Sequence, residues 1–306
     1  MTTVDVDGRQ LSLSNLDKVM YPATGFTKGQ VIDYYARIAP VMLPHLRGRP
    51  ITLKRYPNGV EGQFFYEKNC PKHRPEWVRT ATIPAKGWNS KAPKGTTIDY
   101  CLLDEPAALV WTANLASLEL HPGLATVDDL TQPTYVVFDL DPGSPADVVD
   151  CARVGLWIHE LFDQLGLVSV IKTSGSKGLQ VYLPLNTSAD FEGTAAFSQA
   201  VAQLLEKQHP KQVVSVQAKE LRKGKVLVDW YQNASFKTTV SVYSLRARER
   251  PTVSTPVTWD EVHAALEAKD ASLLMVEAEQ VLERVDEHGD LFNPLLEVEQ
   301  PLPKLG

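Results

Sequence analysis

The chain has 306 residues, 43% of them hydrophobic and 22% charged, with a formal net charge of -6. This profile excludes a fibrous or wholly disordered protein, and no apolar run reaches the roughly 18 residues that a membrane-crossing helix needs. Three cysteines are too few and too scattered for a disulfide framework, which points to a reducing, cytoplasmic setting, and the polar, acidic start Met1–Gly8 is not expected to be a secretory leader.

Along the chain, Val31, Tyr34, Tyr35, Ile38, Val41 and Met42 recur at helical spacing and predict a helix over Lys28–Leu46, stopped by Gly48 and Pro50. Ile51–Leu53 reads as a strand, and Asn58-Gly59 as a tight turn leading into another strand near Phe64–Tyr66. Pro84–Thr97 is a polar loop with three lysines and no acid. Pro106–Leu120 is apolar and predicted helical, and Thr134–Phe138 is a buried strand. Ala146–Leu165 is predicted helical, with Gly166 just after it. Strands are expected at Val168–Lys172, Gln180–Leu183, Val213–Val216, Val226–Trp230 and Thr238–Val242, and helices at Phe191–Gln208, Trp259–Glu267 and Ser272–Val285. This mixed order of strands and helices predicts an α+β fold.

Charge is unevenly placed. Arg47–Arg79 carries eight Lys/Arg against three acids, and Val214–Arg250 again eight against three. Val257–Gln300 carries two against twelve. Two basic segments in an acidic chain suit nucleic acid, which responds to the local field rather than the total. Scattered solvated lysines and arginines would give the same counts.

The sharpest motif is the run Val136-Val137-Phe138-Asp139-Leu140-Asp141-Pro142-Gly143. Strand alternation puts Asp139 and Asp141 on one face and Leu140 on the other. Adjacent carboxylates repel unless a cation sits between them, and Mg²⁺ or Mn²⁺ prefers carboxylate and phosphate oxygen. Alone, the pair could equally be a solvated strand end. Lys172-Thr173-Ser174-Gly175-Ser176-Lys177-Gly178, between two strands, suits a phosphate cradle, with Lys177 as a point charge. A plain Ser/Gly hairpin is the other reading of that loop. Asp229 stands in the apolar run Val226–Trp230. Three acids and a cradle in one sheet suggest two-metal phosphoryl transfer. Cys70 and His73 have ligand spacing, but no second pair completes a zinc site.

These residues resemble the polymerase domain of bacterial DNA ligase D, in the archaeo-eukaryotic primase superfamily, from about Leu11 to Thr258. The resemblance also covers Leu13–Lys18 with Tyr21-Pro22, Lys54–Gly59 and Tyr243–Arg246. It implies a primase-polymerase-like, two-lobed domain with a mixed central β-sheet flanked by helices. It implies a nucleotidyltransferase that prefers ribonucleotides and uses Mn²⁺ or Mg²⁺ to add nucleotides to DNA 3′ ends, in gap filling and end processing by non-homologous end joining. By that resemblance, Asp139, Asp141 and Asp229 hold the metals. Ser174, Lys177 and Arg246 bind the triphosphate, and His121 lies near the nucleotide. Asn15, Lys18 and Lys28 match a pocket for a downstream 5′-phosphate. Phe65 and Tyr66 match a template-packing aromatic pair, Lys54 and Arg55 fall in the DNA-contacting segment, and Arg222 matches a DNA-contacting arginine. The implied partners are DNA with 5′-phosphorylated ends or gaps, NTP or dNTP, Ku and a DNA ligase, with no membrane. The Pro84–Thr97 loop falls where the family has a mobile loop.

One departure is Gln180, where the family usually has a histidine near the nucleotide. A haloacid-dehalogenase-like phosphatase also uses D-x-D after an apolar strand, and a non-catalytic DNA-end binding module is a further alternative. With no long linker, the chain is expected to be one catalytic domain over 1–306. Its parts are an N-terminal lobe with the DNA-end contacts over 1–130, a catalytic sheet over 131–258 and an acidic helical segment over 259–306.

Overall fold

In the computed structural model, which describes residues 2–85 and 95–304, the helix Lys28–Leu46 forms with the expected bounds. Thr27 and Gln30 cap it reciprocally, Thr27 Oγ1 accepting from the Gln30 amide and the Gln30 side chain from the Thr27 amide. The described residues form two units. The first gathers residues 1–128, 238–253 and 277–289; the second gathers 129–237, 254–276 and 290–306. Residues of the expected segment 259–306 therefore contribute to both. No helix among the described residues is long and apolar enough to cross a membrane.

In the first unit, Ile51–Arg55 pairs antiparallel with Phe65–Glu67 and with Ser117–Pro122. The hairpin of Thr80–Pro84 and Thr97–Cys101 joins the same sheet through Ile51 and Cys101. Most of the Pro84–Thr97 loop, residues 86–94, lies outside the described residues. The long helix packs against Pro106–Asn114 and against Ala278–His288.

Four expectations are corrected here. The apolar run Pro106–Leu120 is not one helix. It stops at Asn114, Ala116 takes a left-handed φ of 59°, and Ser117–Pro122 becomes a strand that pairs with Ile51–Arg55. Thr238–Val242 is not a strand: Thr238 makes an isolated bridge to Gly123, the Ser241 amide donates to the Leu120 carbonyl at 2.9 Å, and residues 239–242 are buried. Ser272–Val285 splits into a short turn, Ala271–Leu274, and the helix Ala278–His288, which a Glu277–Gln280 capping box restarts. Finally, Cys70 and Cys101 are joined by a disulfide, while Cys151 is free and buried. That pairing also removes Cys70 from any metal-binding role.

The second unit is built on a mixed six-stranded sheet. Its order is Val213–Val214, Val226–Asp229, Tyr135–Pro142, Leu179–Pro184, Val170–Thr173, Pro256–Val257. Only the first pair is parallel. Alternation sorts the side chains cleanly. Val136, Phe138, Leu140, Ile171, Leu179, Val181, Leu183, Val226 and Val228 enter one core with Ile158, Phe162 and Phe197 of the helices Val148–Gln164 and Phe191–Gln208. The other face carries Asp139, Asp141, Asp229, Lys172 and Gln180. The fold is α+β with a mixed central sheet, as expected.

Candidate active site

Two strands bring the acids together on the sheet face opposite the helices Val148–Gln164 and Phe191–Gln208, and a third adds Gln180. Asp139 stands directly opposite Asp229 on one neighbouring strand and opposite Gln180 on the other, and Asp141 lies two residues along. Asp139 is half-buried and Asp141 exposed, while Asp229 is 7% exposed. Burial, helped by the charges of Asp141 and Asp229, pushes the Asp139 carboxyl up to about 7. A Gln180 hydrogen bond and the Lys172 charge oppose that rise.

Asp229 is held by its own neighbourhood. Its Oδ1 accepts from Gln217 Nε2 at 2.6 Å and from the Tyr231 amide at 3.0 Å, and its Oδ2 accepts from Gln232 Nε2 at 3.2 Å. Arg222 donates to both oxygens of Gln217, at 2.6 and 2.8 Å, so it stands one side chain away from Asp229. Among the described residues, no three His, Cys, Asp or Glu side chains form a complete ion cage. The donor chemistry nonetheless fits a hard divalent cation: Asp139 and Asp141 offer carboxylate oxygen, and the charges of Asp141 and Asp229 disfavour ionisation of Asp139, a repulsion that a cation would relieve.

Two glycines let backbones cross beside the acids. A Cβ on Gly178 would lie 1.9 Å from the Leu140 carbonyl oxygen, and one on Gly143 would lie 1.9 Å from that of Arg222. Gly143 and the 222–225 turn are also bonded both ways, Gly143 N to Lys225 O and Gly224 N to Gly143 O, each at 2.8 Å. Glycine is therefore required at both positions. In the loop after Val170–Thr173, the Ser174 hydroxyl accepts from the amides of Ser176 and Gly178 at 3.3 and 3.1 Å. These two amides are thus turned inward, and Lys177 is the exposed cation of the loop. The Gln180 amide bonds to Asp139 at 3.0 Å and also accepts from Lys172.

The first unit carries a different cluster. Glu119 is 2% exposed in an apolar strand. Lys54 lies 3.3 Å from both of its oxygens, His121 Nε2 3.0 Å from Oε2, and Arg246 Nε 3.5 Å from Oε1. The Ala247 amide also donates to it, at 3.1 Å. His121 and these cations outweigh burial and hold Glu119 far below the usual carboxylate range. Burial lowers His121, against the pull of Glu119. Lys54 Nζ also sits 4.6 Å over Phe64, 5.3 Å over Tyr56 and 5.6 Å over Tyr66. Lys54 thus braces a buried acid, and Arg55 braces Glu67 at 2.8 Å and the Leu115 carbonyl at 2.9 Å. Phe65 and Tyr66 are 44% and 56% exposed, as stacking would require.

Asn15, Lys18 and Lys28 are brought together by backbone bonds from Lys18 N to Asn15 O and from Lys28 N to Lys18 O, at 3.1 and 2.8 Å. Asn15 takes a positive φ of 55° in that turn. Lys28 is buried and donates to Ser14 O at 2.7 Å, and Lys18 is exposed and donates to Pro57 O at 2.6 Å. Burial, then repulsion from Lys18 and Arg55, lowers Lys28. That repulsion marks a concentration of positive charge suited to an anion.

The structure therefore brings Asp139, Asp141, Asp229 and Gln180 together, with Ser174, Lys177 and Arg222 on the adjoining loops. In the first unit it brings His121 and Arg246 together through Glu119. Sequence reasoning missed Glu119, Lys172 and Gln217. Glu119 had a signal, an acid between Leu118 and Leu120; Gln217 had none.

Over residues 27–292 the sequence matches the family described as LigD, primase-polymerase domain. It is 42% identical to the multifunctional non-homologous end joining protein LigD of Mycolicibacterium smegmatis, over 94% of this chain and 36% of that protein. It is 28% identical to the bifunctional non-homologous end joining protein LigD of Bacillus subtilis, over 92% of this chain and 44% of that protein. The chain thus spans less than half the length of these relatives. The polymerase domain of Mycobacterium tuberculosis ligase D, solved in complex with DNA, superposes with a TM-score of 0.85 at 40% identity, covering 95% of this chain and 99% of that one.

Proposed function

The chain belongs to the LigD primase-polymerase domain family, and from that premise we propose that it is a metal-dependent nucleotidyltransferase, adding nucleotides to DNA 3′ ends in break repair by end joining. The observation that carries this reading is the array of Asp139, Asp141 and Asp229 on one sheet face, beside a loop that crosses over at Gly178. Asp139, Asp141 and Asp229 would hold Mn²⁺ or Mg²⁺, which supplies charge neutralisation and a more acidic 3′-hydroxyl when bound. Lys177 would meet the triphosphate as a point charge, with Ser174 shaping the loop around its own hydroxyl. His121 and Arg246, fixed by Glu119, remain the proposed nucleotide contacts of the first unit.

DNA is the proposed partner, in keeping with the DNA complex of the M. tuberculosis domain. Lys18 and Lys28, with Asn15, would read a downstream 5′-phosphate, and Phe65 and Tyr66 would pack on the template. Lys54 and Arg55 would shape that surface, and Arg222 would meet the DNA beside Asp229. Ku and a ligase are the proposed protein partners.

The test is primer extension on gapped DNA with a 5′-phosphate or a 5′-hydroxyl, with each rNTP and dNTP, in Mn²⁺ and in Mg²⁺. Extension with a preference for rNTP and for 5′-phosphate supports the proposal. Asp141→Asn should slow it roughly a thousandfold, the loss of about 4 kcal/mol of transition-state stabilisation. Phosphate release from a monoester would favour the phosphatase instead, and DNA binding without extension a binding module.

A further inference from the structure

Lys172 is 1% exposed, yet the proposed chemistry gives it no part. It stands on Val170–Thr173, on the same sheet face as Asp139. Its ammonium donates to the side-chain oxygen of Gln180 and, at 2.6 Å, to the hydroxyl of Ser254. That hydroxyl donates in turn to the Thr173 carbonyl at 2.9 Å, which ties the ammonium to the sheet. Tyr182 supports the arrangement: its hydroxyl donates to the same Gln180 oxygen at 3.4 Å, and Lys172 lies 5.5 Å over its ring.

An ammonium can only donate, so the oxygen of the Gln180 amide must face Lys172. The amide nitrogen is then turned to Asp139, where it donates to Oδ1 at 3.0 Å. The reversed amide would set N–H against the ammonium and oxygen against the carboxylate, unfavourable at both ends. A charged donor at one end of an amide also strengthens the hydrogen bond at the other. Both polar ends of Gln180 are thus engaged within the sheet.

We propose that Lys172 is a positioning residue, which fixes the orientation of the Gln180 amide and through it the carboxylate of Asp139. The proposal rests on the nucleotidyltransferase reading above. It gives Gln180 a role directed at the carboxylate rather than at the triphosphate.

The experiment is a double-mutant cycle of Lys172→Met and Gln180→Leu in the full chain. Two quantities are read: kcat and nucleotide KM for extension of gapped DNA, and the Mn²⁺ affinity of the unloaded protein by electron paramagnetic resonance. Each single substitution is expected to lower kcat about tenfold or more while KM moves less than about twofold. Gln180→Leu is expected to weaken Mn²⁺ binding about fivefold, and adding Lys172→Met to it should change either readout less than about twofold. Gln180→His can accept from Lys172 and donate to Asp139, so it should keep kcat within about threefold of native. An equal effect of Lys172→Met in both backgrounds, or a loss expressed in KM, overturns the proposal while leaving the nucleotidyltransferase reading intact. Should Lys172→Met fail to fold, equal losses in Gln180→His and Gln180→Leu overturn it. A native chain that neither extends DNA nor binds Mn²⁺ overturns that reading, and this proposal with it.

Discussion

Glu119 sets three cationic or cation-capable side chains in place with one buried carboxylate. Its folded pKa is depressed, so its contribution to stability is full above the ordinary carboxylate value of 4.5 and fades as pH falls below it. Glu119→Gln leaves Lys54 and Arg246 without a counter-charge and should cost about 3–5 kcal/mol at pH 7, shrinking toward pH 3. Urea unfolding of both proteins across that range checks this, and a constant difference would refute the electrostatic account. Asp139 has the opposite sign. Its folded carboxyl is pushed up to about 7, so it disfavours folding increasingly as pH rises from the ordinary value of 3.8 to about 7, carries the full cost above that, and costs nothing where both states are protonated. Asp139→Asn should therefore raise the melting temperature at pH 8, leave it unchanged at pH 3, and abolish nucleotide addition. A melting temperature that falls at pH 8 would contradict the assignment.

At the level of elements, the crossings at Gly143 and Gly178 are the rigid points of the site. Gly178→Ala and Gly143→Ala each force a Cβ onto a carbonyl oxygen, and each should cost about 1–3 kcal/mol by denaturant unfolding. Gly166→Ala, which meets nothing within 4 Å, is a control for chain entropy and positive φ alone. Tyr135–Pro142 was legible as a strand because the continuous apolar run Tyr135–Phe138, buried throughout, gives way to acids at alternate positions. Lys28–Leu46 and Phe191–Gln208 were legible from their 3.6-residue period. Pro106–Leu120 was not, because an unbroken apolar run fits a buried helix and a buried strand alike, and the reversal at Ala116 has no glycine to mark it. The hairpin Thr2–Val6 and Arg9–Leu13 did carry its signal, Asp7-Gly8 at the turn, in a segment whose polarity hid it. Within the site, paired acids on one strand were legible locally. Lys54 with Glu119, and Lys172 with Ser254, were not, because partners 65 and 82 residues apart leave no local pattern. The Cys70–Cys101 link was hidden for the same reason.

In the whole molecule, the chain leaves the first unit after residue 128, returns for 238–253, and returns again for 277–289. The second unit needs 254–276 and 290–306 just as late. Gln300 illustrates the need: its side chain bonds Val168 N and O and Pro184 O, at 3.0, 2.9 and 2.7 Å. A chain cut after residue 258 strips both units, not a tail. It should lose cooperative unfolding and become protease-sensitive in its first and second units alike, which limited proteolysis with mass spectrometry would read. Sensitivity confined to one unit would contradict this. During synthesis the same threading imposes an order of events. While the ribosome is still making residues 254–276, the first unit lacks the helix Ala278–His288 and the second lacks its last strap. Neither core can close before these late segments are made, 277–289 for the first unit and 290–306 for the second, so each waits on residues far along the chain from its own start.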